Sequence, residues 1–153
     1  MLNLPHSDLT SGAEGQTLIK TRDGTELSVA ICWEDAFGAE QLYALPDAGL
    51  LVNVSNDAWF GDSIAPHQHL QIARMLSLQT GRSAIRATNT GISAFIGHDG
   101  KVLRSGPQFK PAMLTLAVQP RRGTTPYVAI GDTPVILFSL LILAGFWLRS
   151  RPS

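Results

Sequence analysis

Short apolar runs alternate with segments of helical spacing through the first half of the chain. Leu27–Ile31 and Leu50–Val54 have the length and apolar character of buried strands. Glu34–Leu45 and Pro66–Gly81 have helical patterns, and the second begins with proline and ends with glycine, as helices often do. The order strand, helix, strand, helix predicts an α/β layered domain.

The pattern then changes to short strands joined by turns. Ala84–Thr88 and Ile92–Ile96 are predicted as successive strands, and the turn His98–Lys101 leads to a return strand at Val102–Leu103. Met113–Val118 is predicted as the last strand. These strands would extend the sheet that the first half begins.

The two ends of the chain differ from this central pattern. The first 26 residues are rich in turn formers and predict a loop, with an edge strand near Thr17–Thr21 and a hairpin turn at Asp23–Gly24. At the other end, Pro134–Leu148 carries no charge and is followed by Arg149 and Arg151. Its fifteen residues are fewer than the ~20 of a typical membrane span, but they are apolar on every face.

We therefore predict a domain at 1–119, a linker at 120–132, a transmembrane helix at 133–148 and a tail at 149–153. Arginine is enriched on the cytoplasmic side of membrane spans. The tail is accordingly expected in the cytoplasm, and the folded domain on the outer side of the membrane. A buried C-terminal core helix is the alternative for the same apolar segment.

Composition excludes one large class of function and directs attention to one residue. Lysine plus arginine equals aspartate plus glutamate, 12 against 12, so the chain lacks the basic character of a nucleic-acid-binding protein. Its 153 residues, 44% of them hydrophobic, suffice for one domain with a core. The single cysteine, Cys32, cannot form an internal disulfide, so its own reactivity becomes the question.

Cys32 lies where the strand Leu27–Ile31 gives way to the helix predicted from Glu34. A helix N-terminus stabilises a thiolate, and backbone N–H groups in such a turn stabilise an oxyanion, with the peptide N–H of Trp33 as the candidate donor. An unreactive buried cysteine is the alternative. Capping the helix is favoured for Asp35, whereas capping and a role in the site are both open for Glu34.

The histidines provide no base or metal site that the spacing supports. They are His6, His67, His69 and His98. His67 and His69 are two residues apart on a helix, so they point to different faces and form neither a metal pair nor a dyad. His98 lies in a turn and is expected to be solvated. The sequence predicts no metal and no cofactor.

Several motifs occur in a fixed order along the chain. They are Ala30–Gly38 (AICWEDAFG), Val54–Gly61 (VSNDAWFG), Ala65-Pro66, His69–Met75 (HLQIARM), Gly81-Arg82 and Arg86–Ser93 (RATNTGIS). This set, from about Leu2 to Leu148, resembles the apolipoprotein N-acyltransferases, membrane members of the nitrilase superfamily of carbon–nitrogen hydrolases. Trp33 stands where that family usually has tyrosine, which keeps an aromatic side chain at the position.

The resemblance implies a fold, an activity and a location. The fold would be the C-terminal part of an αββα four-layer nitrilase-type sandwich, followed by one C-terminal transmembrane helix. The enzyme would transfer an acyl chain from a phospholipid to the N-terminal amino group of a diacylated lipoprotein cysteine, through a thioester on Cys32. The catalytic part would lie in the periplasm at the bacterial inner membrane, with the C-terminus in the cytoplasm and no cofactor.

The resemblance also implies site residues. Cys32 is the nucleophile, and Glu34 occupies the family's post-cysteine glutamate position. Four further residues lie in family motifs. For these residues, a structural role in holding the loops is favoured over a direct role in the chemistry. They are Asn56, Asp57, Trp59 and Arg86. The family's glutamate base and its lysine precede the cysteine motif and have no counterpart here, because Lys20 does not fit the lysine motif.

Two other interpretations stay open. One is a carbon–nitrogen hydrolase acting on small amides, against which the apolar C-terminal segment and the SNDAWFG stretch argue. The other is a catalytically inactive membrane fragment, because the chain alone would lack the glutamate and the lysine. Under the acyltransferase interpretation, a separate chain carrying the upstream half is the partner that would complete the site.

Overall fold

A computed structural model describes residues 17–150 of the chain. In this part, six strands form one mixed sheet whose spatial order follows the sequence. They are β1 (Ile19–Lys20), β2 (Glu26–Ile31), β3 (Leu50–Ser55), β4 (Ser83–Thr88), β5 (Ala94–Ile96) and β6 (Val102–Ser105). The strands β2, β3 and β4 are parallel, whereas β1, β5 and β6 add antiparallel pairs at the two sides.

The strands predicted between residues 17 and 105 are thus confirmed, and so is the turn at Asp23–Gly24, where Gly24 has φ 83°. The rest of the predicted N-terminal loop and His6 lie outside the described residues, as does Arg151. Gly24 donates its N–H to the carbonyl of Thr21 at 3.0 Å, which closes the turn between β1 and β2.

The crossover from β2 to β3 is not the single helix that was predicted over Glu34–Leu45. It consists of a 3₁₀ turn at Cys32–Ala36, a short helix α1 (Gly38–Gln41) and a second 3₁₀ turn at Leu42–Ala44. The physical reason is Phe37, whose backbone leaves the helical region at φ −94° and ψ 68°. The polypeptide therefore turns more tightly after β2, and the short elements stack against the edge of the layer.

The crossover from β3 to β4 is the predicted long helix, here α2 (Ala65–Thr80). Gly81 ends it in the left-handed region at φ 65°, where glycine pays no steric cost. Its buried face repeats at helical spacing through His69, Ala73, Leu76 and Thr80. This face packs on the sheet, and full burial of a leucine such as Leu76 contributes about 1.5–3 kcal/mol.

The sheet has two unlike faces because alternate residues of a strand point to opposite sides. The side against α2, called the covered face here, is fully buried. Its residues on the three parallel strands are Ser28, Ala30, Leu51, Asn53, Ala84 and Arg86. The other side, called the open face, carries apolar residues that keep part of their surface in solvent. They are Leu27, Val29, Ile31, Val52, Val54 and Ile85.

The strand predicted at Met113–Val118 is absent, because this segment has no ladder pairing. Leu114, Leu116 and Val118 are nevertheless half-buried and alternate with exposed residues. The segment passes beside β6, where Arg104 donates to the carbonyl of Thr115 at 2.9 Å. The alternation of apolar and polar residues in this segment follows which side chains are covered. It does not require that the backbone forms hydrogen bonds with a neighbouring strand.

The C-terminal region forms two helices, α3 (Pro126–Ile130) and α4 (Thr133–Arg149). The helix predicted at 133–148 is therefore present, and its 17 residues are all solvent-accessible, so the alternative of a buried core helix is wrong. The prediction of a transmembrane helix is not supported either. Among residues 17–150, no helix combines the length and the apolar character that crossing a bilayer requires.

Candidate active site around Cys32

Cys32 follows the last residue of β2 and has an unusual backbone conformation, φ 55°. A non-glycine residue in this left-handed region costs about 1–3 kcal/mol, which the surrounding structure must offset. The carbonyl of Cys32 accepts two hydrogen bonds, from Asn53 Nδ2 at 2.9 Å and from His69 Nε2 at 3.2 Å. Both donors are buried, and together they hold the carbonyl of the strained residue in place.

The thiol of Cys32 is half-buried and free. Within residues 17–150, the hydrogen bonds of this residue go to its carbonyl, and no side chain is bonded to Sγ. The left-handed backbone of Cys32 lies between the last residue of β2 and the 3₁₀ turn that follows it. The described residues therefore present a nucleophile without presenting its base.

Glu34 and Trp33 flank the thiol in different ways. The carboxylate of Glu34 accepts the backbone N–H of Ile31 at 2.6 Å, which closes the turn around Cys32. This contact is the capping arrangement, one of the two roles that the sequence left open for Glu34. The indole of Trp33 stacks on the ring of His69, with centroids 4.7 Å apart and planes 5° apart, and contacts the edge of Phe60.

Four ionisable side chains meet beneath Cys32, and they are called the buried charge cluster. They are Asp35, Asp57, His69 and Arg86, each at most 3% exposed. Arg86 lies between the two carboxylates, with Nη2 3.0 Å from Asp57 and Nη1 3.4 Å from Asp35. His69 also lies between them, with Nε2 2.9 Å from Asp35 and Nδ1 3.3 Å from Asp57.

Each member of the cluster comes from a different element. Asp35 lies on the 3₁₀ turn after β2, Asp57 on the loop after β3, His69 on α2 and Arg86 on β4. The capping role favoured for Asp35 is therefore wrong, because its carboxylate points into the layer and pairs with side chains 34 and 51 residues away. Through Arg86, the cluster ties the β2–β3 crossover and the β3–β4 crossover to strand β4.

Polar groups around the cluster add further hydrogen bonds to it. Asn53 accepts from Arg86 Nη1 at 2.6 Å, and Ser55 donates to Asp57 at 2.6 Å. Asn89 accepts the N–H of Asp57 at 3.1 Å. A Cβ on Gly91 would lie 2.1 Å from a carboxylate oxygen of Asp57, so only glycine fits there. The glycine of the RATNTGIS motif is thus explained by close packing.

The sequence-predicted residues are not all brought together. Asp57 and Arg86 are members of the buried charge cluster, and Asn56 accepts from Asn89 at 2.6 Å in the adjoining loop. Trp59 is 87% exposed and makes no ring contact among the described residues. In the same part of the chain, no set of His, Cys, Asp and Glu is arranged to hold a metal ion.

Sequence reasoning missed His69 and Asn53. His69 precedes Ala73 by four residues and so belongs to the buried face of α2, and Asn53 occupies an inward position of an otherwise apolar strand. A polar residue at an inward position signals a buried hydrogen-bonded role. His67 is exposed and His98 lies in an exposed turn.

The fold agrees with comparisons with known proteins. The chain belongs to the carbon–nitrogen hydrolase family, whose sequence profile matches residues 4–127. A carbon–nitrogen hydrolase from Helicobacter pylori G27 shares the fold, with a TM-score of 0.56 and 19% identity over 65% of this chain and 42% of that one. An amidase from Nesterenkonia sp. matches at a TM-score of 0.54 and 18% identity, over 83% of this chain and 48% of that one.

Within this family, the chain is similar to apolipoprotein N-acyltransferases. The enzyme of that name from Methylococcus capsulatus is 50% identical over 136 residues, which cover 89% of this chain and 27% of the relative. The one from Nitrosomonas europaea is 49% identical over 146 residues, covering 95% of this chain and 29% of the relative. The chain thus spans less than a third of the length of these relatives.

Proposed function

We propose that this chain contributes the cysteine-bearing part of a lipoprotein N-acyltransferase. The reaction would move an acyl chain from a phospholipid to the N-terminal amino group of a diacylated lipoprotein cysteine. The observation that carries the proposal is the left-handed Cys32 at the end of β2, in a chain 50% identical to an apolipoprotein N-acyltransferase. Because the chain covers 27% of that relative, the activity of the whole enzyme is itself part of the proposal.

The proposed chemistry has two steps that share Cys32 as the acyl carrier. In the first, Sγ attacks the ester carbonyl of the phospholipid, a C–S bond forms, and the ester C–O bond breaks. The departing lysophospholipid oxygen takes up the proton that the base removed from the thiol. In the second step the amine attacks the thioester, the C–N bond forms and the C–S bond breaks. Sulfur then regains the proton that the nitrogen loses.

Residues next to Cys32 support this scheme by their positions. The peptide N–H of Trp33 lies in the first turn after the nucleophile, where a donor for the oxyanion of the tetrahedral intermediate is needed. Glu34 holds the turn around Cys32 by accepting the N–H of Ile31. Asp57 and Arg86 support the loop from beneath, Asn56 ties it to Asn89, and the exposed Trp59 is proposed to face substrate.

We further propose that the base and the lysine come from family sequence outside this chain, on an upstream segment or a separate chain. Two observations support this. No described side chain is hydrogen-bonded to the thiol. The open face leaves Ile31 62% and Val54 41% exposed beside the site, which suits the second sheet of a four-layer αββα sandwich.

A phospholipid donor requires access to lipid, and α4 supplies the surface for it. Its apolar side chains are exposed on every side of the helix, including Leu137, Leu141 and Phe146 at 55%, 71% and 71%. We propose that α4 is buried in the bacterial inner membrane together with other helices of the complete enzyme. The catalytic part would lie on the periplasmic side, and Arg149 would mark the cytoplasmic end.

The test is mass spectrometry of the chain expressed in membranes with and without the upstream family segment. We expect an acyl mass on Cys32, removed by hydroxylamine, only when the upstream segment is supplied. Cys32→Ser is the matched control, and it is unambiguous because the chain has one cysteine. Absence of the acyl mass in both expressions would overturn the proposal.

The small-amide hydrolase is the competing function, because the family is defined by carbon–nitrogen hydrolysis. The same preparations separate the two. Release of ammonia from a short aliphatic amide by the complete form, without transfer of an acyl chain to a diacylated peptide, would favour the hydrolase. Transfer to the peptide amine without amide hydrolysis would favour the acyltransferase.

A further inference from the structure

The partners of His69 constrain the number of protons on its ring. Nδ1 faces Asp57 Oδ1 at 3.3 Å, and Nε2 faces Asp35 Oδ1 at 2.9 Å and the carbonyl of Cys32 at 3.2 Å. Each of these atoms is an oxygen acceptor. A neutral imidazole has one donor nitrogen and one acceptor nitrogen, so one ring nitrogen would face lone pairs with a lone pair of its own.

The charges around the ring favour the doubly protonated form. The guanidinium of Arg86 contacts both carboxylates and so places one positive charge between two acidic groups. With His69 as an imidazolium, the buried charge cluster holds two positive and two negative groups and is neutral overall. With a neutral ring it would hold one uncompensated negative charge at full burial, which is costly.

The face of the ring agrees with a cation. The indole of Trp33 stacks on it at 4.7 Å with the planes 5° apart, and an aromatic face attracts a positive charge. Trp33 immediately follows Cys32, so the stacking also fixes the residue after the nucleophile. The ring of His69 is thereby contacted at both nitrogens and on one face, all within the layer beneath the thiol.

We propose that His69 is a positioning residue, held as an imidazolium, which acts with Asn53 to fix the carbonyl of Cys32. These two donors offset the cost of the left-handed backbone of the residue that carries the thiol. His69 does not touch Sγ and is not the base. The proposal rests on the proposed function only in taking Cys32 as the reacting group.

The first test reads the protonation directly. Full-length chain labelled with ¹⁵N-histidine, in detergent micelles at about pH 8, is examined by long-range ¹H–¹⁵N NMR, since an exposed histidine is neutral there. We expect His69 to give two protonated nitrogens, and the exposed His67, two residues earlier on α2, serves as the comparison in the same spectrum. A single protonated nitrogen on His69 would overturn the proposal.

The second test measures how reactive the thiol of Cys32 is. The rate at which iodoacetamide alkylates Cys32 is measured across pH for wild type, His69→Gln and His67→Gln, with circular dichroism to confirm the fold of each. We expect His69→Gln to change the rate about tenfold and to shift the pH profile, since a charged hydrogen bond is lost, and His67→Gln to match wild type. A folded His69→Gln with the wild-type profile would contradict the positioning role.

Asn53→Asp provides a variant for the case in which His69→Gln does not fold. It keeps the size of the side chain but replaces the donor to the Cys32 carbonyl with an acceptor. The alkylation profile should change as for His69→Gln. An unchanged profile would contradict the proposal that these two donors fix the carbonyl of Cys32. Neither measurement needs lipid, so failure of acyl transfer and failure of this inference are separate results.

Discussion

The covered and open faces of the sheet are made from the same three strands but do different things. The covered face carries Ser28, Asn53 and Arg86 at positions where a core would ordinarily be apolar, and each is at most 5% exposed. The open face is apolar and keeps its surface in solvent, with Ile31 at 62% and Val54 at 41%. The covered face thus holds the buried polar side chains beneath the site. The apolar open face is available to pack against another layer.

The largest effect expected from this difference is on the covered face. Arg86→Leu leaves Asp35 and Asp57 buried without the guanidinium that pairs with both of them, and breaking a buried ion pair costs about 3–5 kcal/mol. The free energy of unfolding is measured by urea denaturation of the full chain in detergent. Arg104→Leu, on the exposed β6, is the matched control and should cost less than about 1 kcal/mol. Equal losses would remove the distinction between the faces.

A smaller loss is expected where the backbone approaches the buried charge cluster. Gly91→Ala would place a Cβ 2.1 Å from Asp57 Oδ2, so the carboxylate must move away from Arg86 or the loop must shift. Overpacking of this kind costs about 1–3 kcal/mol. Gly145→Ala meets no atom within 4 Å and lies in helix α4, so it should leave stability unchanged or slightly raised. The same urea series reports both variants.

The open face should respond only when its partner layer is present. Val54→Thr keeps the shape of an exposed side chain and should change the stability of this chain by no more than about 0.5 kcal/mol. With the upstream family segment co-expressed, the same hydroxyl would be buried without a partner and should cost about 1–3 kcal/mol. A loss that is the same in both preparations would argue that the open face stays open.

The smallest effect is expected far from both faces, in the turn between β5 and β6. The hydrogen bonds from Lys101 lower the pKa of Asp99, and the carboxylate of Asp99 in turn raises the pKa of Lys101. The stabilisation from Asp99 is present above its unfolded pKa and is lost as the pH falls through its lowered folded pKa. Lys101→Gln should raise the pKa of Asp99 towards its ordinary value, as read by NMR titration, whereas Lys110→Gln should not.

Local patterns in the sequence predicted the elements whose cause is local. Helix α2 has its stripe, its proline start and its glycine end within 17 residues, and it was predicted within one residue at either end. The broken crossover after Cys32 was not predicted. Its shape depends on Asp35 reaching His69 and Arg86, and those contacts exist only after α2 and β4 are packed.

The site divides in the same way. Cys32 was predicted from its place after a strand, because the chemistry of a strand–turn junction is a local property. The role of His69 was missed, since the spacing argument compared it with His67 and not with Ala73 and Leu76 on the same face. The segment at 113–118 shows the opposite error. Its alternation is real, but no ladder pairing accompanies it, and Arg104 of β6 reaches the segment through the carbonyl of Thr115.

A second buried arginine has a mechanical consequence. Arg82 donates to the carbonyls of Ala48, Thr80, Pro46 and Gly123. Burial, with Arg121 nearby, lowers its pKa. Thr125 then bonds the carbonyl of Gln79 at the end of α2 and caps α3.

The start of α3 is therefore held at the end of α2. Tyr127 and Asp132, which lead into α4, line a pocket together with Asp35 and Phe37 from the turn after Cys32. These contacts limit how far the start of α4 can move relative to the turn that follows the nucleophile.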